Sequence, residues 1–242
     1  MATESFFSNA SLAYLASAGA GKDGKAYSIK PTDGTGDFTF SRGSNLAATR
    51  VGADGLIEKG RENLLTYSND FTQWAGTASF NITTGQTGYD STTDASSVEV
   101  LATGVYKRIR KSFTHNGVTT FSVYAKANAQ NFMYLVFDVA AGGDPRVWFD
   151  LSQADAANVI QTQSNNISAS VEDAGNGWYR CSITGLTDGN NDAWIGISNA
   201  DNSFNADAGD SIYIQDSQVE IGLAATDYIE SGATTGKAGL LE

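Results

Sequence analysis

One histidine and one cysteine bound the chemistry open to this 242-residue chain. His115 lies in THNG, a turn-like connection between two strand-like runs, and Cys181 falls on the inward parity of WYRCSIT. A Ser-His-Asp or Cys-His arrangement would have to use that histidine, which reads instead as a solvated turn residue. A lone cysteine excludes an intramolecular disulfide and thiolate zinc sites, and a lone histidine excludes two-histidine metal chemistry within one chain. The 27 acidic residues supply carboxylates in plenty. No spacing, however, singles out two of them at the roughly 5–10 Å that glycoside hydrolysis requires. The loops DGNND and NADNSFNADAGD alternate oxygen ligands as calcium loops do, but they lack the order that ends in a glutamate. Asp, Asn and Gly also build such turns for backbone reasons alone. GAGKDGK at 19–25 misses the spacing of a phosphate-binding loop, and no strand leads into it. The chain reads as a non-enzyme that requires no cofactor.

Binding residues are better supplied. Trp148 and Trp194 fall on the parity opposite Val147/Phe149 and Ile195/Ile197, so both belong to an outer sheet face. Side by side, they would form a stacking platform for a sugar; the alternative is burial under the N-terminal arm or in a subunit interface. The one basic cluster is KRIRK, with Lys107 and Lys111 on one face of a strand and Arg108 and Arg110 on the other. Such charges protect a sheet edge from unwanted pairing. Alternatively they dock against the acidic half of a neighbouring subunit or an acidic capsid surface.

The elements that must position these residues follow from composition and period. Twenty-six glycines, only two prolines and an abundance of Ser, Thr and Asn favour many short strands with tight turns, and exclude a helical bundle or a doubly wound α/β fold. Residues 1–60 form a Gly-rich arm with one short helix over Ala10–Ala18. Asn9 caps it, Leu12 and Leu15 form its docking face, and Gly19 ends it. Short extended pieces follow at Tyr27–Ile29, Phe38–Phe40 and Leu56–Ile57. Residues 61–230 alternate with a period of two and predict seven to nine strands. Phe121, Val123, Ala125, Val147, Phe149, Leu151, Tyr179, Cys181, Ile183, Ile195, Ile197, Ile212 and Ile214 point inward, with turns at AAGGDP, EDAGNG, TDGNND and NADAGD. The expected class is all-β, an antiparallel jelly-roll sandwich. Residues 231–242 read as a mobile tail or second contact arm.

Charge divides the chain unequally. Residues 1–126 hold 12 Lys/Arg against 11 Asp/Glu, whereas residues 127–242 hold 3 against 16. An acidic half of this size repels nucleic acid. No apolar run approaches the roughly 18 residues of a membrane span, and the N-terminus lacks the basic and apolar regions of a signal peptide. Synthesis in a cytoplasm is the expectation.

The runs FTFSRGSNLAATRVGADGLIEKGRENLLTYSNDFTQW, FSVYAKA, EDAGNGWYRCSIT and IYIQDSQVEIGLAATDYI resemble a module of tailed-bacteriophage structural proteins, found in head decorations, head fibres and tail fibres. The second half also resembles jelly-roll carbohydrate-binding modules of the family 4/9 type. Together the resemblance covers roughly residues 38–232. It implies a β-sandwich that acts by binding and assembly on the virion surface, as a homo-oligomer (a trimer) contacting a capsid or tail protein. It also places Asp216 where those modules hold a structural Ca2+. Gln215 precedes it in place of a second acid, and a strand-end cap or a pair with Lys126 or Arg180 is the other reading. The expected function is a non-enzymatic capsid decoration or head-fibre protein. The alternative is a tail-fibre or receptor-binding module that takes host polysaccharide through exposed aromatics.

Overall fold

Alternation of apolar and polar residues dictates strands that bury one face, and the computed structural model carries those strands through most of the chain. It describes residues 61–153 and 165–237, and before them the backbone of five short strands. Contacts divide the chain into two units, Met1–Lys59 with Ala238–Glu242, and Gly60–Lys237. In the first, β1 (Gly21–Lys22), β2 (Lys25–Ala26) and β3 (Phe38–Thr39) form an antiparallel sheet, and β4 (Thr49–Val51) pairs with β5 (Ile57–Lys59). β3 and β5 overlap the expected pieces at Phe38–Phe40 and Leu56–Ile57. The expected helix with Leu12 and Leu15, and the piece Tyr27–Ile29, lie outside the described residues.

The second unit begins with β6 (Glu62–Asn63) and is built on one curled antiparallel sheet. Its strands are β7 (Phe80–Gln86), β8 (Ala95–Val100), β10 (Arg108–Ala127), β11 (Phe132–Val139), β12 (Arg146–Asp150), β13 (Asn166–Gly175), β14 (Trp178–Ser198) and β16 (Ser211–Ile221). Two-residue strands β9 (Gly104–Val105) and β15 (Asn205–Ala206) pair with each other, and β17 (Gly236–Lys237) pairs with β6. The order across the sheet is β12-β11-β14-β10-β16-β8-β7, with β13 also on β14. Eight strands answer the expected seven to nine, and the all-β antiparallel jelly-roll sandwich is the fold.

Two expected turns are not turns. THNG and TDGNND both lie inside strands, because β10 and β14 run unbroken for 20 and 21 residues, paired along nearly their whole length. Gly117 (φ 126°) and Gly189 (φ 115°) take backbone angles closed to most residues, near one level of the ribbon, where His115 pairs with Gly189 and Gly117 with Thr187. At that level the partners change. Below it β14 pairs with β13 and β10 with β16; above it β14 pairs with β11. The ribbon therefore passes from one layer of the sandwich into the other, and glycine serves as a bend rather than a reversal.

The core lies between the layers. Phe121 of one half and Phe137 of the other have ring centroids 6.0 Å apart, and Phe113 sits 5.6 Å from Phe137. Met133, Leu135, Val147, Phe149, Cys181, Ile183, Ile195, Ile197, Ile212 and Ile214 close around them, all buried. Each large aliphatic or aromatic side chain so buried contributes about 1.5–3 kcal/mol.

Residues 222–229 lie against the outer face of the β10/β16 layer, and Gly236–Lys237 pairs with β6, while residues 238–242 of the expected tail or contact arm lie outside the described residues. Arg180 donates to the carbonyl of Thr226 and to Ser122 Oγ, and Glu220 accepts from Thr226 N (2.8 Å) and Oγ1 (2.6 Å). Asn63 donates to the carbonyls of Ser217 and Ile229, and Ser68 Oγ meets the Tyr228 hydroxyl at 2.6 Å. Polar side chains from β6, β14 and β16 thus satisfy the backbone of the segment that covers them.

Candidate functional site

The outer face of the layer formed by β12, β11, the second half of β14 and the first half of β10 carries three rows of side chains, set by register. Arg108, Gly196, Tyr134 and Trp148 form the first, and Arg110, Trp194, Val136 and Arg146 the second. Ser112, Asp192 and Asp138 form the third. Gly196 is required in the first row: a Cβ there would run into the Tyr134 ring, which lies across the strand and donates its hydroxyl to the Lys107 carbonyl at 3.2 Å.

A loop closes over this face. Ser198 Oγ donates to the carbonyls of Ala200 (2.6 Å) and Ser203 (2.7 Å), and the β9/β15 pair with the Tyr106 N to Phe204 O bond (2.8 Å) fixes its return. Phe204 is thereby set edge-on to Tyr134 (5.0 Å, 89°), 4.9 Å from Trp148 and 4.7 Å from Tyr106. Trp148 Nε1 donates to Ser203 O at 2.6 Å.

Trp148 and Trp194 share the outer face, as their parity implies, but they are not an open platform. Trp148 is 1% exposed and Trp194 8%, forming with Tyr134 and Val136 a small apolar cluster capped by Phe204. The Arg108 guanidinium stacks 3.7 Å above the Trp194 ring. A side chain parity cannot reveal, Phe204 from a distant loop, covers what alternation left outside.

Beside that cluster opens a cleft of about 270 Å³, lined by Tyr106, Arg108, Val136, Asp144, Arg146, Trp194 and Phe204. Tyr106 stands 50% exposed at its rim. Arg108 Nη1 donates to Tyr106 O (3.0 Å), and the Arg146 guanidinium lies 5.7 Å from the Phe204 ring. Three buried N–H donors on these residues, Arg108 Nε, Arg146 Nε and Trp194 Nε1, have no acceptor among the described residues. Leaving a buried donor unpaired costs about 1–3 kcal/mol, so an acceptor that reached them would be favoured. Asp144 Oδ1 accepts from Val139 N at 3.2 Å, and no ion pair joins its carboxylate to either guanidinium among the described residues.

Arg110 and Lys111 of the basic cluster are used internally. Arg110 pairs with Asp192 at 2.8 Å, and its backbone exchanges two hydrogen bonds with Ala75, which closes that edge of β10. Lys111 donates to the Gln73 carbonyl (3.0 Å) and lies 4.8 Å from the Tyr67 ring; burial pulls its pKa down. Lys107 offers its carbonyl to Tyr134 and to Ile197 N. Burial, then Asp144 and Asp192, raise the pKa of Asp138 on the same face.

Asp216 lies on the other layer, in a bulge of β16 between the Ser122 and Tyr124 levels, at φ 52° and 6% exposed. Its backbone N–H donates to Asn69 Oδ1 and its carboxylate accepts from the Tyr89 hydroxyl, each at 3.0 Å. The surrounding cleft, about 470 Å³, is lined by Tyr89, Tyr124 and Tyr228 with Asp90, Asp94, Asp227 and Glu230. Tyr89 stacks on Tyr124 at 3.6 Å, and Arg180 faces Tyr124 from 5.4 Å. Burial, with Asp94, Asp90 and Glu230 nearby, pushes the Asp216 carboxyl up to about 7 despite the Tyr89 bond, so the group favours a proton. Gln215 Nε2 meanwhile donates to Asp90 (3.2 Å) and Asp94 (2.7 Å), standing where a cation between them would stand. No three acidic, His or Cys groups among the described residues are arranged to hold a metal. Among the described residues, Asp216 pairs with neither Lys126 nor Arg180.

Cys181 is fully buried in the core, where desolvation pushes its thiol pKa well up, and His115 lies mid-strand opposite Gly189.

No family model matches this chain, and no curated protein matches it. Among solved structures it is similar to a family 61 carbohydrate-binding module in complex with β-1,4-galactotriose, at 11% identity and TM-score 0.37 over 65% of this chain and 97% of that one. It is also similar to the enzymatically active domain of tailspike protein 4 of bacteriophage CBA120, at 11% identity and TM-score 0.36, over 65% of this chain. There it spans about a fifth of the tailspike chain, 21%.

The sequence placed Trp194 on this face but did not single out Tyr106, Arg146 and Phe204. No local signal marks them, because they meet only after β10, β12 and β15 are brought together.

Proposed function

We propose that this chain is a non-enzymatic module of a bacteriophage surface protein that binds a glycan in the cleft beside Trp194. The observation that carries the reading is a cleft lined by two guanidinium groups and the Trp194 ring, residues that also hold three N–H donors without an acceptor among the described residues, with a half-exposed tyrosine at its rim. Sugars offer what such a site lacks, oxygen acceptors on a ring that stacks on an aromatic. The virion assignment rests on the sequence resemblance. Position as a head decoration, head fibre or tail fibre follows from copy number. Mass spectrometry of purified particles giving hundreds of copies places it on the head; a few to a few tens place it on the tail.

The test of binding is a titration against host-envelope polysaccharides. Binding that is lost in Tyr106→Ala, with an unchanged melting curve, supports the reading. No binding to any glycan, or binding unchanged by Tyr106→Ala, removes it. Release of reducing sugar in proportion to protein would overturn the non-enzymatic part.

A further inference from the structure

Resting on that reading, we infer that the glycan held in the Trp194 cleft is acidic, a sugar whose carboxylate lies between Arg108 and Arg146. Four observations converge on it. Arg146 belongs to the half of the chain that holds only three basic residues against sixteen acids. Of the other two, Arg180 is buried and donates to Ser122 and Thr226, and Lys237 pairs with Glu62 at 3.3 Å. Among the described residues, the Arg146 guanidinium alone of these three has neither a hydrogen-bonded acceptor nor an ion pair. A cation left so in an acidic surface marks a place where negative charge is taken from outside.

Arg108 supplies the second charge. Its Cζ stands 3.7 Å from the Trp194 ring centroid, a contact that suits guanidinium better than lysine, and its Nη1 donates to Tyr106 O. Its Nε carries no partner, as does that of Arg146. Guanidinium groups with free N–H donors match the two oxygens of a carboxylate, and such charge-assisted bonds are about twice as strong as neutral ones.

The acids nearby do not fill this role. Asp144 is bonded to the backbone of the 139–144 turn, Asp192 is held by Arg110, and Asp138 sits one row away with its pKa raised. The aromatic rim of Tyr106 and Phe204 then selects a carboxylate carried on a ring over a free small anion.

The experiment is calorimetric titration of the full chain at low salt with oligogalacturonate and with sialyllactose, each beside its carboxyl methyl ester and a neutral oligosaccharide. Tighter binding of at least one acidic sugar by tenfold or more over its ester supports the inference, as does a tenfold loss in Arg146→Gln. Arg146→Lys should recover only part of the affinity, because a point charge replaces a fork. Lys126→Gln, on the other layer, should bind as the parent does, and matched melting curves show that each variant is folded. Equal affinity for acid and ester overturns the acidic specificity and leaves glycan binding standing. Binding of the neutral oligosaccharide alone also overturns it, whereas binding of no sugar at all removes both readings.

Discussion

Replacing Asp216 with asparagine should make the protein more stable at alkaline pH and leave it nearly unchanged in acid. The carboxyl moves from a pKa near 3.9 in an unfolded chain to about 7 in the folded protein, a rise of about three units. Because the folded value is the higher one, the native state binds the proton more tightly. Its contribution is whole below about pH 4 and is lost as the pH climbs through 7. At about 1.4 kcal/mol per unit the loss approaches 4 kcal/mol, and water entering the cleft reduces it to about 2–4 kcal/mol. Asparagine cannot ionise and so escapes that loss. It retains an oxygen for the Tyr89 hydroxyl, and it tolerates the φ of 52° that this bulge imposes. Denaturant titrations of parent and variant at pH 4.5, 6, 7 and 8.5 measure the difference directly, since the repulsion among the remaining acids is common to both. The expected result is a gap near zero at pH 4.5 that widens to about 2–4 kcal/mol in the variant's favour by pH 8.5. A variant equally stable at every pH, or less stable at pH 8.5, would refute the reasoning. It would mean that a positive partner holds the carboxylate ionised.

Other expectations follow from the same structure. EDTA should leave the melting curve unchanged, because Gln215 stands between Asp90 and Asp94; a drop in Tm restored by Ca2+ would show that a cation is held there after all. Trp148→Ala should cost about 3–5 kcal/mol by denaturant titration, as expected for a large buried ring, so its loss of binding would report unfolding of the cleft rather than loss of a sugar contact. Gly196→Ala should cost about 1–3 kcal/mol and weaken glycan binding, since its methyl group displaces the Tyr134 ring. Residues 60–237 expressed alone should melt cooperatively, having their own core; a broad, non-cooperative transition would show that the core depends on the rest of the chain.

Much of this architecture is legible in the order of the residues alone. A period of two assigned the inward faces of β10, β12, β14 and β16, because one-sided burial leaves a mark at every second residue. The same reasoning put Trp148 and Trp194 outside the sandwich and could go no further. Their cover, Phe204, is held by bonds between β9 and β15 that two-residue strands cannot announce. Gly117 and Gly189 misled for a different reason. A glycine that reverses a chain and a glycine that bends one look alike in sequence, and only the partner strands tell them apart. Arg146 shows the same limit in the cleft. Its neighbours Val147 and Phe149 reveal the strand, but its value lies in sitting across Val136 from Trp194, a relation set by register.

The pairing of Glu62–Asn63 with Gly236–Lys237 has a mechanical consequence. The sandwich is entered and left at adjacent points. Load applied to both ends peels that short pairing first and spares the β10/β14 ribbon. Evolution can also move such a unit as a cassette, splicing it into the surface loop of another protein without spreading the ends of that loop apart.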